Sequence, residues 1–238
     1  MKRSIIITTL MATLVYVLPA QPDIKVQIGH SGRVLSVAKS YDGKYVATGS
    51  MDQTAKLWNV ALQKELITFS GHSGQVGAVC FTPDNKFIIT GSGDKTIKVW
   101  NIAERRLQST FLGHTNEVLS LDASADGRHI VSGSWDGTVK VWDLANGREI
   151  VSIKVGFIVN AVCFSQDGNY IISGSQDGKL QIWEVYSGKR VKSLKGHSSG
   201  ITSVSVSSDG RFIATGSYDK NIVIWDFVSG KNLRTLKG

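Results

Sequence analysis

Ser132-Gly133-Ser134-Trp135-Asp136-Gly137-Thr138-Val139-Lys140-Val141-Trp142-Asp143 occurs in this chain not once but five times, in variant form. The sister copies begin at Thr48, Thr90, Ser173 and Thr215 and reach Trp58, Trp100, Trp183 and Trp225. The five tryptophans are spaced 42, 42, 41 and 42 residues apart. A self-similarity of this period marks a repeat architecture, in which each unit buries its apolar face only against its neighbours. It also sets how every other residue is read. A His or Asp present once is a candidate for chemistry, whereas one present in every unit belongs first to the scaffold.

Working outward, each Trp has an Asp six residues before it: Asp52, Asp94, Asp136, Asp177 and Asp219. A Gly-His pair stands 28 residues before four of the five tryptophans, supplying His30, His72, His114 and His197. The fourth unit has Val155 at that place and is one residue shorter ahead of it. Between these marks lie short, β-branched runs of alternating polarity, such as Thr138 to Trp142, bounded by Asp-Gly turns such as Asp126-Gly127. Period-2 alternation between turn signals predicts β-strands, four to each unit. Beyond the first twenty residues, no run of twelve or more residues carries a helical period.

Gly-His, then Ser/Thr-Gly-Ser-x-Asp, then Trp-Asp or Trp-Asn, in five repeats in register of which the fourth lacks the His and has Trp183-Glu184, resembles the WD-repeat family of β-propellers. The resemblance covers residues 24–238. It implies an all-β propeller of five four-stranded antiparallel blades, spanning about 29–70, 71–112, 113–154, 155–195 and 196–238. It further implies a buried hydrogen-bond chain within each blade. The members are His30, Thr48, Asp52 and Trp58; His72, Thr90, Asp94 and Trp100; His114, Ser132, Asp136 and Trp142; Ser173, Asp177 and Trp183, with no His; and His197, Thr215, Asp219 and Trp225. The residue types suit the role. Indole only donates, carboxylate only accepts, and hydroxyl and neutral imidazole do both, so the order Trp, Ser/Thr, His, Asp satisfies each member. In the fourth blade Val155 cannot bridge Ser173 and Asp177, whose polar groups are expected to turn to water or backbone.

Ser, His and Asp together also make a hydrolase triad, which is recognised by geometry and roles. Four copies at one spacing, with no G-x-S-x-G elbow, argue for scaffold instead. No metal-ligand spacing, phosphate loop or cofactor motif is present, so the chain is read as non-catalytic, without cofactor or metal. His129 stands alone on an apolar strand and reads as packed.

The formal net charge is +8, from 27 Lys and Arg against 19 Asp and Glu. The positives scatter over turns, one or two per unit, which reads as a solvated rim. No nucleic-acid module is present, which argues against a nucleic-acid partner. The two cysteines, Cys80 and Cys163, hold the same place two units apart. That separation exceeds the reach of a disulfide, so two buried free thiols are expected.

Residues 1–20 differ in kind. A basic start, an apolar run from Ile5 to Leu18 and Ala20 as a cleavage residue resemble a secretory signal. The expected location is periplasmic or secreted, with a membrane anchor or a cytoplasmic chain as alternatives; a spanning helix needs about 20 apolar residues. Ile24 to Ile28 reads as a spare outer strand. With five units and that strand, either the ring closes on five blades or it stays open and incomplete, with bare ends that favour self-association.

The resemblance implies a rigid platform that binds a protein or peptide on the face around the central opening. The positions are those before the turn Asp and those three and five residues after the Gly-His. The candidates there are Arg33, Leu35, Met51, Leu119, Trp135, Ile158, Asn160 and Tyr218. Trp135 is the one tryptophan off the repeat beat, and it is expected to form an apolar patch with Leu119 and Ile158. The alternative is a sensory or regulatory segment of a larger protease-like or kinase enzyme.

Overall fold

The computed structural model describes residues 29–238. The signal-like segment and the spare strand at residues 24–28 lie outside the described residues. Twenty strands follow one another in chain order. Blade 1 holds β1 (Val34–Lys39), β2 (Tyr45–Ser50), β3 (Thr54–Asn59) and β4 (Lys64–Ser70). Blade 2 holds β5 (Val76–Phe81), β6 (Phe87–Ser92), β7 (Ile97–Asn101) and β8 (Arg106–Phe111). Blade 3 holds β9 (Val118–Ala123), β10 (His129–Ser134), β11 (Thr138–Asp143) and β12 (Glu149–Lys154). Blade 4 holds β13 (Val159–Phe164), β14 (Tyr170–Ser175), β15 (Lys179–Glu184) and β16 (Arg190–Lys195). Blade 5 holds β17 (Ile201–Val206), β18 (Phe212–Ser217), β19 (Asn221–Asp226) and β20 (Asn232–Lys237).

Each group of four forms its own antiparallel sheet, paired in sequence order. The alternating runs dictate this, since each strand can satisfy its ladder with the next through a tight turn. One irregularity recurs in all five sheets. The register shifts once within the innermost pair, between Val34 and Ser36 in blade 1 and between Val76 and Ala78 in blade 2. A bulge of this kind bends the strand and re-aims its side chains.

The innermost strands pack on one another in chain order, β1 on β5, β5 on β9, β9 on β13 and β13 on β17. All five line one central cavity of about 540 Å³. Four apolar clusters hold the blades together, each shared by two neighbours. Ala47, Leu57 and Phe69 of blade 1 meet Val76, Val79 and Trp100 of blade 2, and the same scheme repeats for the next three junctions. At each junction a Val or Ile opening an inner strand seats on a glycine of the preceding blade. Thus Val76 faces Gly49, Val118 faces Gly91, Val159 faces Gly133 and Ile201 faces Gly174.

Among the described residues, no comparable packing joins β17 back to β1. Val34 is 53% exposed, whereas its counterparts Val76 and Val159 are both 0% exposed. Val37 is bare as well, at 69%. On blade 5, Ile222 and Leu236 are exposed where Val139 and Ile153 are buried. Full burial of such a side chain is worth about 1.5–3 kcal/mol, so each of these positions forgoes a stabilisation that its sister positions receive. The described blades form an arc with two uncovered faces.

Candidate functional site

The Gly-His loop enters each blade beside the turn Asp, and the strand pairing aligns the Ser/Thr with the Trp. In blade 2, Trp100 Nε1 donates to Thr90 Oγ1 at 2.8 Å, His72 Nε2 lies 2.7 Å from the same oxygen, and His72 Nδ1 lies 2.8 Å from Asp94 Oδ2. Blade 3 repeats this with Trp142, Ser132, His114 and Asp136 at 2.8, 2.7 and 2.8 Å. Blade 1 does so with Trp58, Thr48, His30 and Asp52 at 2.8, 2.7 and 2.9 Å. Blade 5 does so with Trp225, Thr215, His197 and Asp219 at 2.9, 2.8 and 2.9 Å. The carboxylate can only accept, so Nδ1 carries the imidazole proton and Nε2 takes the hydroxyl's.

The carboxylates accept further bonds. Asp94 takes the backbone N–H groups of Ser73 and Thr96 and the Thr96 hydroxyl. Burial opposes its ionisation, but the bonds from Thr96, His72 and Ser73 outweigh that and hold the carboxyl down, to about 2. Burial also lowers the affinity of His72 and His114 for a proton, against the pull of Asp94 and Asp136. In blades 2 and 3 the pair is neutral imidazole on ionised carboxylate. The hydroxyls of Thr90 and Ser132 are fully buried and already committed to indole and imidazole.

Blade 4 solves its missing His in a way the spacing does not reveal. Trp183 Nε1 still donates to Ser173 Oγ at 2.9 Å. Within the protein, Asp177 turns chiefly to side chains and less to backbone. It pairs with Lys179 Nζ at 2.7 Å and accepts the Ser175 hydroxyl at 2.6 Å. Lys179 holds the place of Thr54, Thr96 and Thr138, and its longer stem carries a donor back to the orphaned carboxylate. The same ammonium sits 5.7 Å from the centroid of the Phe157 ring.

The candidate face residues separate into groups. Trp135 and Ile158 share a cleft of about 450 Å³ between blades 3 and 4, together with Asn116, Gly156, Phe157 and Gln176. Leu119 is not part of it; with Leu35 and Asn160 it lines the central cavity. The bulge at the start of β9 turns it inward. Arg33 Nε donates to Met51 Sδ at 3.2 Å on blade 1, and Tyr218 stands exposed on blade 5. Asn160 Nδ2 donates to Gln176 Oε1 at 3.0 Å and to the Ile201 carbonyl at 2.9 Å. This amide pair joins the rim of the cavity to the cleft. Phe157 escapes the sequence reading. It holds the place of Gly32, Gly74, Asn116 and Ser199, and a large aromatic among small residues is the signal that could have found it.

Asp122 also escapes it. On β9, Asp122 Oδ2 accepts the Phe164 N–H of blade 4 at 2.8 Å, and Ser120 Oγ accepts the Val162 N–H at 3.0 Å. These side chains cap the free inner edge of β13. The cysteines are both free, with Cys80 buried and Cys163 only partly so. Among the described residues, no group of three or more metal-ligating side chains is found, and no helix is long and apolar enough to cross a membrane.

Five copies of the family described as WD domain, G-beta repeat match residues 22–59, 63–101, 105–143, 152–184 and 188–226. A five-sheet propeller arc with this internal repeat is a WD-repeat fold, and the chain belongs to that family. The matched units end near Trp-Asp, so residues 63–101 take the outer strand of blade 1 and the three inner strands of blade 2. Each sequence repeat therefore spans a blade junction, which ties neighbours covalently as well as by packing.

Proposed function

We propose that the chain is a non-catalytic scaffold that docks a peptide or protein segment in the cleft between blades 3 and 4. One observation carries this reading. Trp135 and Phe157, 48% and 51% exposed, line a single cleft at positions where sister repeats carry mostly small or polar residues. Neither ring belongs to the hydrogen-bond chain of its blade. Large exposed aromatics in a concave setting are the usual anchors of protein recognition, and each offers 150–250 Å² or so of surface to bury. The Ser/Thr, His and Asp trios speak against catalysis, because the hydroxyls of Thr90, Ser132 and Thr215 are buried and the arrangement recurs in four blades. A sensory segment of a larger enzyme would use the same cleft. The test is a peptide-display selection against the chain. Selected peptides should bind at least tenfold more weakly to Trp135→Ala and to Phe157→Ala, with melting unchanged. Equal binding to both variants would remove the cleft from the account.

A second reading, self-association, is favoured by the uncovered blade ends. The proposed occupant is a second copy. The chain shows four times that an inner strand opening on Val or Ile fits the trailing face of a blade, and β1 presents Val34 in that manner. Unpaired sheet faces and edges invite such contacts. Light scattering should give a mass above the monomer for the parent chain and a monomer for Val34→Asp/Val37→Lys. A monomeric parent at high concentration would dismiss this reading.

A further inference from the structure

We propose that the central cavity receives a basic side chain, with Asp122 as its counter-charge. Among the described residues that line the cavity, Asp122 supplies the one carboxylate, and no Lys, Arg or His is found. The remaining walls carry neutral polar groups, such as Ser36, Asn160, Ser203 and Ser205. Among the described residues the carboxylate meets only backbone donors, Phe164 N–H at 2.8 Å and its neighbour Ala123 N–H at 2.9 Å, and no ion pair. Two bonds leave lone pairs on both oxygens free to accept from a guest. A charge held in such a place without a counter-ion is costly, and a guest cation relieves that cost.

The dimensions suit an arginine or lysine. Leu119 lies at the rim, level with the Asn160 and Gln176 pair, and Asp122 lies three residues deeper along the same strand. At about 3.3 Å per residue that depth is roughly 10 Å. An extended arginine spanning about 7 Å, plus a charge-assisted hydrogen bond of about 2.8 Å, covers it from a backbone resting at the rim. The inference deepens the scaffold reading and rests on it for its peptide ligand, since the Asn160–Gln176 pair places the rim beside the Trp135 cleft. One segment could then set an apolar residue in the cleft and a basic one in the cavity.

The groups around Asp122 make the site sensitive to pH. Cys80 on β5, Cys163 on β13 and Tyr41, in the turn after β1, feel its charge. Burial pushes both thiols and the Tyr41 phenol upward, so all three stay neutral and supply no cation. Burial also pushes the Asp122 carboxyl up, to about 6, against the pull of the Phe164 and Ala123 N–H groups. A guest cation binds the ionised form. Its affinity is therefore full above that value and falls as pH drops through it.

The test is an NMR titration of the whole chain with N-acetyl-arginine methylamide, set against the uncharged norleucine analogue. The arginine compound should shift the Asn160, Cys163 and Ser203 amides at pH 7.5 and bind several-fold more weakly at pH 5. Asp122→Asn keeps an oxygen for the Phe164 N–H, so it should fold as the parent and bind at least tenfold more weakly at pH 7.5. Trp135→Ala should bind this small probe as the parent does, so loss of peptide binding in that variant and loss of probe binding in Asp122→Asn report separate sites. Equal affinity in Asp122→Asn, or equal affinity for the norleucine analogue, would overturn the proposal.

Discussion

Gly133→Ala is expected to lower the equilibrium stability by about 1–3 kcal/mol, the usual cost of overpacking a close junction. Gly216→Ala, at the same place in the repeat, is expected to cost much less. A Cβ on Gly133 would lie 2.7 Å from Val159 Cγ1 of the next blade and 3.2 Å from the Val159 carbonyl oxygen, and neither can withdraw without parting blades 3 and 4. A Cβ on Gly216 would meet only Ser203 Oγ, at 2.7 Å, and Thr202 Oγ1, at 3.8 Å, both within blade 5. A hydroxyl rotor can turn away. Urea unfolding at low protein concentration, where association plays no part, measures the pair. Equal losses would mean that a following blade covers Gly216 and that the arc is closed.

The second large effect concerns the networks. His72→Ala should cost about 1–3 kcal/mol, because it leaves the Thr90 hydroxyl and the Asp94 carboxylate without their shared partner in a buried site. Asp94 loses one of the bonds that hold its carboxyl low, so the variant should also unfold at a higher pH on acid titration. The sign follows from linkage. A carboxyl with a depressed native pKa contributes stability above its unfolded value near 3.9, and that contribution fades as pH falls toward the native value of about 2. Weaker depression means a smaller contribution at neutral pH. Val155→His would not simply restore a network in blade 4, since Lys179 already occupies Asp177.

The fold was legible because the repeat is a periodic signal. Trp spacing counts blades, Asp-Gly turns count strands, and alternation names the buried face. The partners of His72 are expected from the family resemblance, and the donor and acceptor types of Trp, Thr, His and Asp agree with it. What the period hides is what departs from it. Lys179 and Phe157 matter because they differ from their sisters, and their effect depends on reach and packing that no spacing encodes. Asp122 sits where two other blades carry Cys80 and Cys163. Its place on the cavity wall follows from the bulge in β9, which changes the parity of the strand. The count of units leaves open whether the ring closes, and residue type alone does not show that Val34 and Ile222 are bare, because the same types are buried in the sister blades.

The central claim is that the repeated His, Ser/Thr and Asp brace each blade internally while recognition lies in the cleft. Its most direct test is equilibrium unfolding of four single variants, His30→Ala, His72→Ala, His114→Ala and His197→Ala. Each should lose about 1–3 kcal/mol, while affinity for cleft-selected peptides stays at the parent value under conditions where the variant remains folded. A variant that unfolds with the parent yet loses ligand binding would contradict the account, because that histidine would then belong to a functional site and not to the scaffold.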